Sequence, residues 1–144
     1  MKFAGLIPIS SLVLLLFGCA SLPTYNEYAS TMQPVPADRG RIYVYRITIV
    51  GDAIRPAVRI DGEPVGRAIP EGFFYVDLPA GDYTISGSTI AKYDLSLGLE
   101  AGEEKYVRVE VKFGVASWYV RPLLIDAAVA KRELQATKYT GTSH

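Results

Sequence analysis

Lys105-Tyr106-Val107-Arg108-Val109-Glu110-Val111-Lys112-Phe113 is the stretch that decides the fold. Tyr106, Arg108, Glu110 and Lys112 alternate with Val107, Val109, Val111 and Phe113, a period of two that fits a strand and would scatter apolar groups around a helix. The valine set predicts a one-sided core face. Valine, isoleucine and tyrosine run through the rest of the chain in short segments separated by turn residues, which is the texture of an all-β sandwich or barrel.

Upstream, Arg41 to Ile49 (RIYVYRITI) sets Tyr43, Tyr45, Ile47 and Ile49 on one face and Ile42 and Val44 on the other, so both faces are expected to be covered. Ala57 to Asp61 turns Val58 and Ile60 inward and Arg59 outward. Asp61-Gly62 then predicts a tight hairpin, because glycine takes the positive φ that such turns need. Gly62, Gly66 and Gly72 are all read as turn glycines. Strands follow at Phe73–Leu78, Tyr83–Thr89 and Tyr93–Leu99, with Pro79-Ala80-Gly81-Asp82 as a turn. Val115 to Arg121 completes the set.

After Pro122 the period changes to about 3.6, with Leu123, Ala127, Ala130 and Leu134 in one stripe and Asp126 as N-cap of a helix over Ala127–Ala136. Its alanine-rich stripe must dock on the sheet to be stable. The seat expected for it is the strand at Arg41–Ile49. The fold class is therefore all-β, a mainly antiparallel sandwich or open barrel with one short C-terminal helix.

The N-terminus has another character. Lys2 precedes an apolar run from Phe3 to Phe17, too short to cross a bilayer core that needs about 20 helical residues. Leu16-Phe17-Gly18-Cys19 ends it. This sequence resembles the bacterial lipobox, which implies cleavage between Gly18 and Cys19 and acylation of the only cysteine in the chain. Ala20 stands where an aspartate would signal inner-membrane retention, so the resemblance implies a palmitate-type anchor in the outer membrane, with the domain facing the periplasm. Residues 1–18 are then signal peptide. Residues 19–39, with three prolines and no apolar periodicity, are expected to be a flexible tether of about 25 Å mean reach and about 65 Å full extension. The β-domain covers 40–136, a chain starting near Pro36 is expected to keep the whole core, and 137–144 is a disordered tail.

Charge and chemistry exclude several classes. Basic and acidic residues balance at 15 each, so non-specific nucleic-acid binding has no electrostatic support. The one histidine, His144, is the last residue, which argues against a histidine triad or a zinc site. No catalytic residue, metal or cofactor is assigned. Asp77, Glu103 and Glu104 are the carboxylates whose convergence would make an anchored hydrolase. The sharper signal is a basic excess: Arg39, Arg41, Arg46, Arg55, Arg59 and Arg67 against Asp52, Asp61 and Glu63. Arg55, Arg59 and Arg67 are the expected ligand-binding group, since the guanidinium fork suits phosphate and carboxylate.

Gly40-Arg41-Ile42-Tyr43-Val44-Tyr45-Arg46, Asp61-Gly62 with Val65-Gly66, Gly72-Phe73-Phe74 and Leu78-Pro79-Ala80-Gly81-Asp82-Tyr83-Thr84-Ile85, in that order, resemble the envelope family called domain of unknown function 2846. The resemblance implies a β-rich fold behind a lipobox, with no activity or cofactor to carry over. The function expected is that of a non-enzymatic, lipid-anchored envelope protein whose β-domain binds a protein partner or an anionic envelope polymer.

Overall fold

A computed structural model describes residues 21–88 and 93–142. Gly18, Cys19 and His144, and the end of the segment expected to be a strand at Tyr83–Thr89, lie outside the described residues. In chain order the described elements are α1 (Tyr25–Ala29), β1 (Arg39–Arg46), β2 (Ala57–Ile60), β3 (Glu63–Arg67), β4 (Gly72–Pro79), β5 (Gly81–Gly87), β6 (Leu95–Leu99), β7 (Glu104–Phe113), β8 (Trp118–Ile125), α2 (Ala127–Leu134) and β9 (Lys138–Tyr139). They form a five-stranded sheet, β8-β7-β1-β4-β9, and a four-stranded sheet, β3-β2-β5-β6. The fold is all-β.

Alternation drives the packing. Val107, Val109 and Val111 of β7, Ile42 and Val44 of β1, and Phe74 of β4 face Val58, Ile60, Ile85, Leu97 and Leu99 of the other sheet, and this is the main core. Each such side chain contributes about 1.5–3 kcal/mol on burial. Phe113 does not join the valines. It lies at the far end of β7, where its ring meets Trp118 edge-on at 5.2 Å, and it is 62% exposed. Among the described residues, β5 ends at Gly87, which lies against Val120, the partner of Val111, short of Phe113.

β1 is central and buried on both faces, as its double apolar pattern requires. It pairs antiparallel with β4 and parallel with β7, but only from Arg41↔Glu104 to Tyr45↔Arg108. The strand stops at Arg46. Ile47 and Ile49, expected to extend its tyrosine face, sit instead in the following loop and are largely exposed.

At the β2–β3 turn, Ile60 pairs with Glu63, and Asp61 and Gly62 both take positive φ (49° and 85°), the two-residue turn with both central residues left-handed. Gly66 is no turn residue. It lies within β3, where a Cβ would stand 2.7 Å from the Phe74 ring.

A second core covers the outer face of the five-stranded sheet. Tyr43, Tyr45, Phe73 and Tyr106 are buried there beneath Ala130 and Leu134 of α2, with Tyr25, Tyr28 and Met32 completing the cover. Asp126 caps α2 by accepting from the Ala128 amide at 2.9 Å, as its position predicts. The strand before it differs from expectation. β8 continues through Pro122 to Ile125, which an edge strand allows because its outer side needs no N–H donor. Leu123 therefore belongs to the strand and not to the helical stripe.

Both segments expected to be loose are built into this face. The Thr24 hydroxyl caps α1, and the Glu27 carboxylate accepts from the Thr24 amide at 2.8 Å, a reciprocal capping box. The Tyr25 amide donates to the Thr137 carbonyl, and the Tyr139 amide donates to the Pro23 carbonyl at 2.9 Å. β9 adds to β4 in parallel, and Tyr139 stacks on Tyr28 at 3.8 Å. Residues 23–33 are thus no tether, and the start of 137–144 is a sheet edge.

Candidate functional site

The six arginines of the first third divide into buried and exposed groups. Arg46 ends β1 on the interior side, in register with Ile42 and Val44, and is 0% exposed. Its five N–H donors meet five carbonyls: Thr48, Val50, Gly51, Ile54 and Ala68, at 2.6–3.1 Å. The fork is fully used, so a charge that would be costly to bury unpaired becomes the hub of the 47–54 loop. Burial lowers its pKa, and no ion pair to Arg46 occurs among the described residues.

That hub places the exposed pair. Ile54 and Ala68, both held by Arg46, are the neighbours of Arg55 and Arg67, and the Arg67 guanidinium donates to the Arg55 carbonyl at 3.0 Å. Both side chains are exposed, and neither forms an ion pair among the described residues. Beside Arg67 lies a cleft of about 180 Å³ lined by Ile69, Thr140, Gly141 and Thr142. The Thr140 hydroxyl is spent on the Phe73 carbonyl at 3.1 Å, so the Arg67 guanidinium and the Thr142 hydroxyl are the side-chain donors that could meet an oxyanion there. Arg59 stands apart. It is half-buried on the outer sheet face, opposite Ser86, and donates to the Gly62 carbonyl at 3.2 Å, tying its own hairpin.

The carboxylates are engaged elsewhere. Arg41 is 2% exposed and takes both oxygens of Asp77, with its third contact to the Gln33 carbonyl at 2.9 Å and its plane over Tyr75 at 4.2 Å. The register puts Asp77 and Glu104 on either side of Arg41, two strand spacings or about 10 Å apart at the backbone. Glu104 accepts from the Tyr106 hydroxyl at 2.7 Å. The Glu103 carboxylate is bound to Lys105, whose bond holds its pKa low together with the Glu100 amide.

The tyrosine face carries the other shifted groups. Burial pushes the Tyr43 hydroxyl up to about 12, and burial followed by carboxylate neighbours pushes Tyr45 and Tyr106 up as well. Glu133 of α2 accepts from Tyr45 and from Arg108, each at 2.6 Å, which pins the helix to β1 and β7. This polar layer is a fastening. Sequence reading missed Arg46 as a hub and Thr140 and Thr142 as neighbours of Arg67. Arg46 carried a usable signal, since i, i+2 and i+4 spacing puts it on the face of Ile42 and Val44.

Two packed sheets, one with a helix-covered tyrosine face, define an all-β domain in which Asp77, Glu103, Glu104 and Glu133 are held in hydrogen bonds and ion pairs. The chain belongs to the family described as protein of unknown function (DUF2846), whose model matches residues 36–123. It is also similar to an uncharacterized protein of Haemophilus influenzae, 32% identical over 112 residues, covering 74% of this chain and 67% of the other. No solved structure matches it.

Proposed function

We propose that this protein is a non-enzymatic, lipid-anchored component of the bacterial envelope, outer-membrane bound through Cys19 and facing the periplasm. Its β-domain binds an anionic partner, a polymer or an acidic protein segment, at Arg55 and Arg67. The observation that carries this reading is the exposed arginine pair above the buried Arg46 charge, with none of the three in an ion pair among the described residues. Asp52 acts on Arg46 without forming an ion pair with it, and the positive charge it does not offset is left for a ligand. A carboxylate hydrolase has less support, because Asp77 gives both oxygens to Arg41 and Glu104 is bonded to Tyr106.

The test is retention of the purified protein on isolated cell wall and on an immobilised acidic peptide, across a salt series. Binding should fall as the Debye length shortens from about 10 Å at 0.1 M to about 3 Å at 1 M. Arg55→Gln with Arg67→Gln should weaken it at least tenfold, while Arg59→Gln alone has the smaller effect. Retention indifferent to salt and to the double change would remove the arginine pair from the binding site.

A further inference from the structure

The segment after the acylation site is docked, and that fixes how the domain meets its membrane. The Pro23 carbonyl accepts from the Tyr139 amide, Thr24 bridges to Lys138, and the Tyr25 amide donates to Thr137. Tyr25 and Tyr28 pack edge-on against the Phe73 ring at 5.3 and 6.1 Å. Further along, the Gln33 carbonyl is held by Arg41. Pro23 is four residue steps from Cys19, a distance of at most about 14 Å whatever the conformation. Crossing the headgroup layer uses about 5–8 Å of that.

We infer that residues 23–33 are a rigid mount that holds the β9 edge of the domain against the lipid surface in which Cys19 is anchored. The inference rests on the anchored reading of Cys19 proposed above. The occupant of this edge is the lipid surface itself, because the chain is too short for anything else to stand between. The eight residues of β1 span about 23 Å, from Arg39 beside the Gly102 turn to Arg46 in the row of Gly72 and Lys138. That exceeds the roughly 14 Å between Cys19 and Pro23, so the Gly102 end is held farther from Cys19 than the Lys138 end unless the mount detaches. Leu22, 54% exposed and adjacent to Pro23, adds an apolar contact on the membrane side.

The test uses the full acylated protein in phosphatidylethanolamine–phosphatidylglycerol vesicles carrying a headgroup quencher. Ala136→Cys and Ala101→Cys place a small fluorophore at two exposed positions, one beside Thr137 at the mount and one at the remote turn. Quenching should be several-fold stronger at position 136. Inserting about 20 Gly/Ser residues between Leu22 and Pro23, with a reach of about 25 Å, should abolish the difference while the protein still floats with the vesicles. Equal quenching at both positions with native spacing, or a difference that survives the insertion, overturns the mount. Failure to float, with no acyl mass on Cys19, overturns the anchor and the mount together, and is told apart because neither label is then quenched.

Discussion

Arg41 and Asp77 form a two-pronged ion pair across β1 and β4, Nε to Oδ1 at 2.7 Å and Nη2 to Oδ2 at 2.9 Å, with the guanidinium 2% exposed. It joins the main sheet to the Gln33 end of the mount. Asp77→Asn keeps the shape and removes the charge, leaving a buried cation unmatched. The expected loss is about 2–3 kcal/mol, below the range for fully buried pairs because Asp77 is 22% exposed. Arg41→Met combined with Asp77→Leu should recover most of it. Denaturant midpoints of the two variants check this, and a neutral Asp77→Asn would show the pair to be idle.

Arg46 presents the opposite chemistry, a buried cation satisfied by carbonyls alone. Lysine offers three donors where five acceptors wait, so Arg46→Lys should leave carbonyls of the 47–54 loop unmet at about 1–3 kcal/mol for each one left buried and unpaired. Hydrogen exchange should speed up at Ile54, whose amide donates to Gly51. Because Arg46 places Arg55 and Arg67, cell-wall retention should fall with it. Unchanged exchange at Ile54 would separate the loop from its hub.

The tyrosine face makes stability depend on alkaline pH. The folded chain holds Tyr43 up to about 12 through burial, and Tyr45 and Tyr106 are also raised from an ordinary value near 10. A group raised in the folded state gives stability that is complete below its unfolded pKa and lost as pH rises toward the folded one. Stability should therefore be level up to about pH 9 and decline between about 10 and 12. Tyr43→Phe, which gives up the hydroxyl's bond to the Met32 sulfur and its contact with the Arg41 guanidinium, should make that decline shallower. Denaturant midpoints at stepped pH, with tyrosinate absorbance, measure both.

Much of the fold was legible because its strands are one-sided. Val107, Val109 and Val111 announce the core face of β7, and Asp61-Gly62 announces its hairpin by a backbone conformation few other pairs accept. What escaped depends on partners far along the chain. The arginines of β1 look solvent-facing until Asp77 or the 47–54 loop is placed opposite them. Pro122 looked like a boundary because a strand at a sheet edge cannot be told from sequence to be one. The mount left a trace that was read past: Thr24-x-x-Glu27 is a capping box, and Tyr25, Tyr28 and Met32 recur at helical spacing. Three prolines and scattered small polar residues outweigh it in the sequence, and the helix that results is only five residues long.

Acylation is tested directly. Cys19→Ser removes the acceptor thiol, so fatty-acid labelling should vanish and the precursor should keep its signal peptide. Labelling that persists would refute the anchor and leave ordinary secretion as the reading of residues 1–20.

The mount also predicts where the domain may be cut. A chain starting near Pro36 loses Tyr25, Tyr28 and Met32 from the second core, uncovers Phe73 and Tyr75, and takes away the Pro23 carbonyl from the Tyr139 amide and the Gln33 carbonyl from the Arg41 guanidinium, which keeps Asp77. Tyr25 and Tyr28 are only partly buried, so each contributes somewhat less than the roughly 1.5–3 kcal/mol of a fully buried aromatic, plus about 0.5–1.5 kcal/mol for its ring contacts. Against a domain stability of about 5–15 kcal/mol, the loss is severe. A chain starting at Ser21 keeps all of it. The Pro36 chain should melt at least 15 °C lower, since 1 kcal/mol moves the midpoint of a domain this size by about 4 °C, and it should bind a hydrophobic dye that the Ser21 chain does not. Equal melting of the two would mean that residues 23–33 rest on the sheet without holding it.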